Sequence, residues 1–196
     1  MVRAMQDGAP ELLDAIGVAP ADGELRVACT RIARQIRSEG ARAVGFVPSD
    51  DAVAVPPLLV HLGLALCELT DSTVAVVDAN VRYPALAHVA TQIADGSGFA
   101  MRWLGSSLAL LSPPRVERAG EVVPQLARAL VAGAELFAHV LVDLTGFELL
   151  GEHAAAAACM DAVALVGRAH RSRERELVEL ARLIPEGRFL GVVLVG

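Results

Sequence analysis

Two aspartates stand at the ends of apolar runs, where a carboxylate can meet a ligand on a rigid support. Val74–Val77 leads into Asp78, and Val140–Val142 leads into Asp143. Short apolar runs of this kind read as buried strands. In open α/β sheets, ligands bind at the carboxyl ends of the strands. Carboxylates there suit a hard cation such as Mg²⁺, which prefers oxygen ligands. Asp50 and Asp51, just beyond another apolar run, are further candidates for such a cation. A second group is basic: Arg168, Arg171, Arg173 and Arg175 crowd one short segment. It reads either as a solvated helix start capped by Ser172 or as a docking patch for an acidic partner or anionic surface. The histidines at 61, 88, 139, 153 and 170 have no metal-ligand spacing. Cys29, Cys67 and Cys159 form no close pair, which suits buried thiols in a reducing cytoplasm.

The elements that hold these residues follow from the pattern around them. The chain has 196 residues, 54% of them hydrophobic but only 4% aromatic. An apolar mass of Ala, Val and Leu is the filling of a parallel sheet covered on both faces. A net charge of −6 argues against nucleic-acid binding, which needs a basic face. The apolar stretches 52–67 and 154–166 are broken by Pro56, Pro57, His61 and Asp161, so neither offers the ~20 clean residues of a membrane span. A soluble, cytoplasmic domain is expected. Residues 1–23 read as a lead-in with one short helix near Glu11–Ile16, and 24–196 as a single domain.

Within that domain, residues 24–39 carry Leu25, Ala28, Ile32 and Ile36 at helical spacing, with Gly40 as a stop. Strands are expected at Ala43–Pro48, Thr73–Asp78, Ser107–Leu111, His139–Leu144, Ala162–Gly167 and Phe189–Val195. Helices are expected at Pro56–Leu69, Pro84–Ile93, Glu121–Leu136, Glu152–Cys159 and Arg173–Leu183. Met101 and Trp103 fall in a stretch of weak period and read as core or interface packing. Alternating strands and helices imply a three-layer α/β/α sandwich with a mostly parallel central sheet.

Asp78-Ala79-Asn80-Val81-Arg82-Tyr83-Pro84 resembles the Asp-Ala-Asp-x-Arg-x-Pro segment of bacterial capsular-type tyrosine kinases, members of the ParA/MinD group of P-loop ATPases. Val140–Asp143 is similar to their Walker B strand, and Leu190–Val195 to their last core strand. The helix at 24–39 resembles the one carrying their Glu-x-x-Arg-x-x-Arg oligomerisation motif: Arg31 and Arg34 match, but Ala28 replaces the Glu. The resemblance spans about residues 24–196. It implies a P-loop NTPase-like fold, with Asp78 and Asp143 near Mg²⁺ and Arg168 near the nucleotide base.

The departures lie in the phosphate loop, expected at about 48–57. Where the family has Gly-x-Gly-Lys-Ser/Thr-Ser/Thr, this chain has Ala52, Val53, Ala54, Val55, Pro56 and Pro57. Ala does not readily take the positive-φ conformations that Gly supplies. Val55 brings no charge, and the chain contains no Lys at all. Pro56 and Pro57 remove two amide donors from a helix start that should bind the anion, though Pro still suits the first helical turn. Asn80 replaces a further carboxylate, and Arg82 reads as a structural remnant. No cofactor is therefore expected. The resemblance implies a pseudo-ATPase that keeps docking surfaces: a scaffold or regulatory module in polysaccharide export or subcellular positioning. Its partners would be proteins, membrane-associated or cytoskeletal, or a second copy in a homodimer. The rival expectation is a nucleotide- or metal-binding enzyme or sensor with a remodelled loop, using Arg82 or Arg168 for phosphate and Asp78 or Asp143 for a metal.

Overall fold

A computed structural model describes residues 13–80, 85–86, 92–93, 99–112, 119–147 and 151–196. In chain order the elements are α1 (Gly23–Ser38), β1 (Ala43–Pro48), α2 (Val55–Thr70), β2 (Val74–Asp78), β3 (Gln92–Ile93), β4 (Ala100–Leu104), β5 (Leu108–Ser112), α3 (Val122–Ala132), β6 (His139–Asp143), α4 (His153–Ala158), β7 (Ala162–Arg168), α5 (Glu174–Ala181) and β8 (Phe189–Val195). The strands form one sheet in the order β3-β4-β5-β2-β6-β1-β7-β8. From β5 to β8 every pairing is parallel, and β3 and β4 are antiparallel additions at one edge.

Strand side chains alternate between faces, and here both faces are apolar. Val44, Phe46, Val74, Val76, Leu141, Ala164 and Val166 point to the layer of α1 and α2. Val47, Ala75, Val77, Val140, Val142, Val163 and Leu165 point to the layer of α3, α4 and α5. Parallel strands buried on both faces need such continuous apolar runs. Asp22 starts α1 by accepting a 2.7 Å hydrogen bond from the Leu25 amide. Cys29, Ala33 and Ile36 then form its buried stripe. Leu13, Ile16 and Val18, before α1, join the same core, and the His61 Nε2 lies 3.0 Å from the Ala19 carbonyl. Among the described residues, no helix is long and apolar enough to cross a membrane.

The strand over Ala100–Leu104 has no counterpart among the expected elements. It pairs antiparallel with β5 along its whole length, and its Trp103 packs against Phe137 with ring centroids 5.8 Å apart. Its burial is partial on both sides, so it lacks the period by which a sequence announces a strand. The helix expected over Pro84–Ile93 is wrong at its end: Gln92–Ile93 pairs as a short strand with β4. Residues 87–91 and Pro84 lie outside the described residues. The helix expected over Glu121–Leu136 is α3 followed by a single 3-10 turn, Gly133–Glu135.

Gly63 lets α2 sit close to the sheet. A Cβ placed there would come within 2.7 Å of Leu108 Cδ1 and 3.2 Å of Val76 Cγ2. Replacing Gly by Ala in a helix gains about 1 kcal/mol of propensity, but overpacking a core costs about 1–3 kcal/mol. Gly63→Ala is therefore expected to lower the urea midpoint followed by Trp103 fluorescence, and Gly63→Val to lower it further. An unchanged or raised midpoint for both would refute the close approach.

Candidate functional site

The parallel strands bring four expected residues or loops to one edge of the sheet. Asp78 ends β2 and Asp143 ends β6, and they are direct partners in the β2–β6 register. Phe46 of β1 lies beside Asp143, and Pro48 beside Val166 of β7. The β1–α2 loop and Arg168, the last residue of β7, therefore open on the same edge. The strand order reverses around β1: the chain moves from it to β2 on one side, with β7 and β8 on the other. Such a reversal is where open α/β sheets hold their ligands.

Both aspartates are fully buried. Asp78 Oδ1 accepts from the Asn80 amide at 3.2 Å and Oδ2 from the Leu86 amide at 2.6 Å. Burial nevertheless pushes its carboxyl above the ordinary range, against the pull of those amides. Asp143 Oδ1 accepts from the Thr145 amide at 2.9 Å and its hydroxyl at 2.5 Å. Each carboxylate thus organises the turn that follows its strand. Among the described residues, no three His, Cys, Asp or Glu side chains gather where they could hold a metal ion. Asp50, Asp51, Asp78 and Asp143 share an edge without forming such a group.

The β1–α2 loop has a definite shape. None of residues 49–54 takes a positive φ. The successive-amide concavity that cradles anions alternates right- and left-handed conformations, and this loop does not. Three of its amides are also committed. Ser49 donates to the Val166 carbonyl at 2.7 Å, Ala52 to Asp50 Oδ1 at 2.9 Å and Val53 to the Asp50 carbonyl at 3.1 Å. The helix begins at Val55 with no side-chain cap and with proline in its first turn. Val55 and Pro56 are buried, Ala52 and Ala54 exposed. Val55, the position of the expected lysine, is fully buried in the core beneath α2.

Arg168 reaches across to this loop. Its Nη2 lies 3.3 Å from Asp50 Oδ1, with both side chains about one-third exposed. An ion pair that open contributes at most about 1 kcal/mol. Ser172 does not cap α5. Arg173 is the cap residue and makes no side-chain cap bond. The Ser172 hydroxyl instead accepts from the Arg168 amide at 2.7 Å and lies 2.7 Å from the Ser49 hydroxyl. This serine pair ties the end of β7 to the end of β1. It was not visible in the sequence, because the two residues lie 123 positions apart and neither belongs to a motif. Arg31, Arg34, Arg171, Arg173 and Arg175 are exposed. Arg173 pairs with Glu176 at 3.9 Å and Arg175 with Glu179 at 3.0 Å. Asn80 follows β2 and is half-buried; Arg82 lies outside the described residues.

The cysteines take no part in this edge. Burial pushes the Cys29 thiol up to about 11 and the Cys67 thiol up to about 12, so both stay protonated at neutral pH. Cys159, expected to be buried, is partly exposed.

Solved structures share this architecture. The BceF tyrosine kinase domain superposes with a TM-score of 0.69 at 18% identity, covering 88% of this chain and 76% of that one. The VpsO kinase domain gives 0.70 at 18% identity, covering 87% and 93%. The chain has the P-loop NTPase-like fold of bacterial tyrosine-kinase and ParA-type domains. A ParA family ATPase from Chlorobium tepidum TLS matches more distantly, with a TM-score of 0.57 at 16% identity, covering 80% and 73%. No family model matches the chain, and no curated protein matches it by sequence. The likeness therefore rests on the fold.

Asp78 has a pH signature. A carboxyl whose folded pKa is raised binds its proton more tightly in the native state, so stability falls as pH rises from the ordinary value of 3.8 to the folded one. Wild type is therefore expected to gain stability relative to Asp78→Asn as pH is lowered from neutral toward 3.8. Urea unfolding of both proteins across that range measures the difference. A constant difference would mean that burial does not perturb Asp78.

Proposed function

We propose that this chain is a non-catalytic counterpart of the ParA/MinD and bacterial tyrosine-kinase domains, acting as a scaffold or regulatory protein-interaction module. The β1–α2 loop carries this reading. Polyphosphate binding by a P-loop needs amides that converge on the anion, a lysine to neutralise it and a hydroxyl for Mg²⁺. In this loop no residue adopts a left-handed conformation, and the Ser49, Ala52 and Val53 amides are bonded within the protein. Residues 56 and 57 have no amide hydrogen to give. A buried valine stands in place of the lysine. Two carboxylates, Asp50 and Asp51, lie in the loop itself, where they would repel phosphate.

Interaction is the use that remains for a fold so well kept. The exposed Arg31 and Arg34 lie on α1, and Arg171, Arg173 and Arg175 lie at the start of α5. They are suited to acidic protein surfaces, membrane-associated or cytoskeletal, or to a second copy of the chain. The cytoplasm is the proposed location, and polysaccharide export or subcellular positioning the proposed setting.

Isothermal titration of the purified chain with ATP and with ADP, each with Mg²⁺, tests the central point. No saturable heat is expected at micromolar nucleotide, and no phosphate release in a parallel turnover assay. Micromolar binding, or turnover abolished by Asp143→Asn, would overturn the reading.

A further inference from the structure

A cavity on the far side of the phosphate loop from the two aspartates adds a feature to the proposed role. It has a volume of about 780 Å³ and runs along the sheet face between α4 and α5. Its size falls in the range of about 300–1,000 Å³ typical of small-molecule sites. Residues 48–52 of the phosphate loop form one wall, but Asp78 and Asp143 do not line the cavity, and it extends away from them to Leu183 and Ile184, beyond α5.

Its walls are of two kinds. The inner part is apolar, with Val47 and Leu165 from the strands, Ala157 from α4 and Leu180 from α5. Arginines stand at the mouth, accompanied by acidic groups. The charges can be paired off one by one. Arg168 is held by Asp50 at 3.3 Å, and Arg173 faces Glu176 at 3.9 Å. The exposed Asp51 shares the rim and has an interaction of its own. Arg171 is exposed and makes no side-chain hydrogen bond or ion pair among the described residues. Two nitrogens of lining residues, Arg168 Nε and His153 Nδ1, are also enclosed without a hydrogen-bond partner among the described residues. An acceptor oxygen reaching that wall would satisfy the Arg168 Nε–H, which is always a donor.

We propose that this cavity binds a small organic anion: a molecule with an apolar body seated over Val47, Ala157, Leu165 and Leu180, and a single anionic group at Arg171. One uncompensated guanidinium suits one carboxylate, sulfonate or phosphomonoester. It does not suit a triphosphate, which needs several converging donors and a cation. The bound molecule would contact both α4 and α5 and so couple the loop around Arg168 and Ser172 to ligand. This site shares Arg171 with the proposed interaction patch, but binding of a small probe to the isolated chain tests it without a protein partner.

Anilinonaphthalene sulfonate has the required form, an aromatic body with one anionic group, and reports its own burial by fluorescence. Titrated into the full chain, it is expected to saturate at one site. Arg171→Glu changes an exposed residue and is expected to weaken binding by about tenfold, the loss of one charge-assisted hydrogen bond. The uncharged analogue phenylnaphthylamine should bind the wild type and be indifferent to that change. Ala157→Phe, which fills the floor, should abolish binding of both probes, with far-UV circular dichroism checking that the variant folds. Should it not fold, Leu183→Trp, which adds apolar bulk at the other end of the cavity, replaces it, with the same expectation. Val192→Arg, on the exposed apolar strand β8, should leave both probes bound. The proposal is overturned if sulfonate binding is unaffected by Arg171→Glu, if it survives filling of the cavity, or if Val192→Arg abolishes it.

Discussion

Parallel pairing of β1 between β6 and β7 is the constraint on which this molecule rests. Parallel strands cannot be joined by tight hairpins, so each connection must cross a face of the sheet, and both faces become buried. That requirement accounts for the composition, with Val, Ala and Leu filling central strands that have no solvent side. It also places every parallel strand's carboxyl end on one edge. Asp78, Asp143, the β1–α2 loop and Arg168 meet there because of topology, whatever chemistry they retain.

A fold of this kind tolerates a β1–α2 loop without glycine or lysine because stability and ligand binding draw on different groups. The sheet is held by backbone ladders and by two apolar clusters, one on each face. The loop contributes little beyond Val53 and Val55, which serve the core better than glycine and lysine would. Pro56 and Pro57 remain compatible with the start of α2, since the first-turn amides of a helix have no intrahelical acceptor. Two residues without an amide hydrogen thus leave the helix intact. The buried carboxylates are kept for a structural reason as well: each accepts the amide of the residue two positions on and so shapes the turn beyond its strand.

The correspondence between sequence and structure varies with the kind of signal. The two Asp-ended strands were legible because a buried strand that runs out to a polar edge leaves a distinct trace, an apolar run closed by a carboxylate. β4 was not, since a strand covered in part on both sides has no clean period. Ser172 misled for a different reason. A serine before a helix is a good cap, but here the neighbouring end of β7 offered its hydroxyl the Arg168 amide instead. Local propensity yielded to a tertiary partner.

The sequence by itself determined the layered α/β architecture, the residue types of the β1–α2 loop and the strand ends at which to look. These depend on residue type and on spacing along one element, which a chain carries openly. Tertiary structure decided that the Ser49 and Ser172 hydroxyls meet, that Arg168 is held by Asp50, and that a cavity opens between α4 and α5. Each joins residues more than 100 positions apart or depends on how two helices lean on a sheet. Such relations are set by packing, and no periodicity in the chain encodes them.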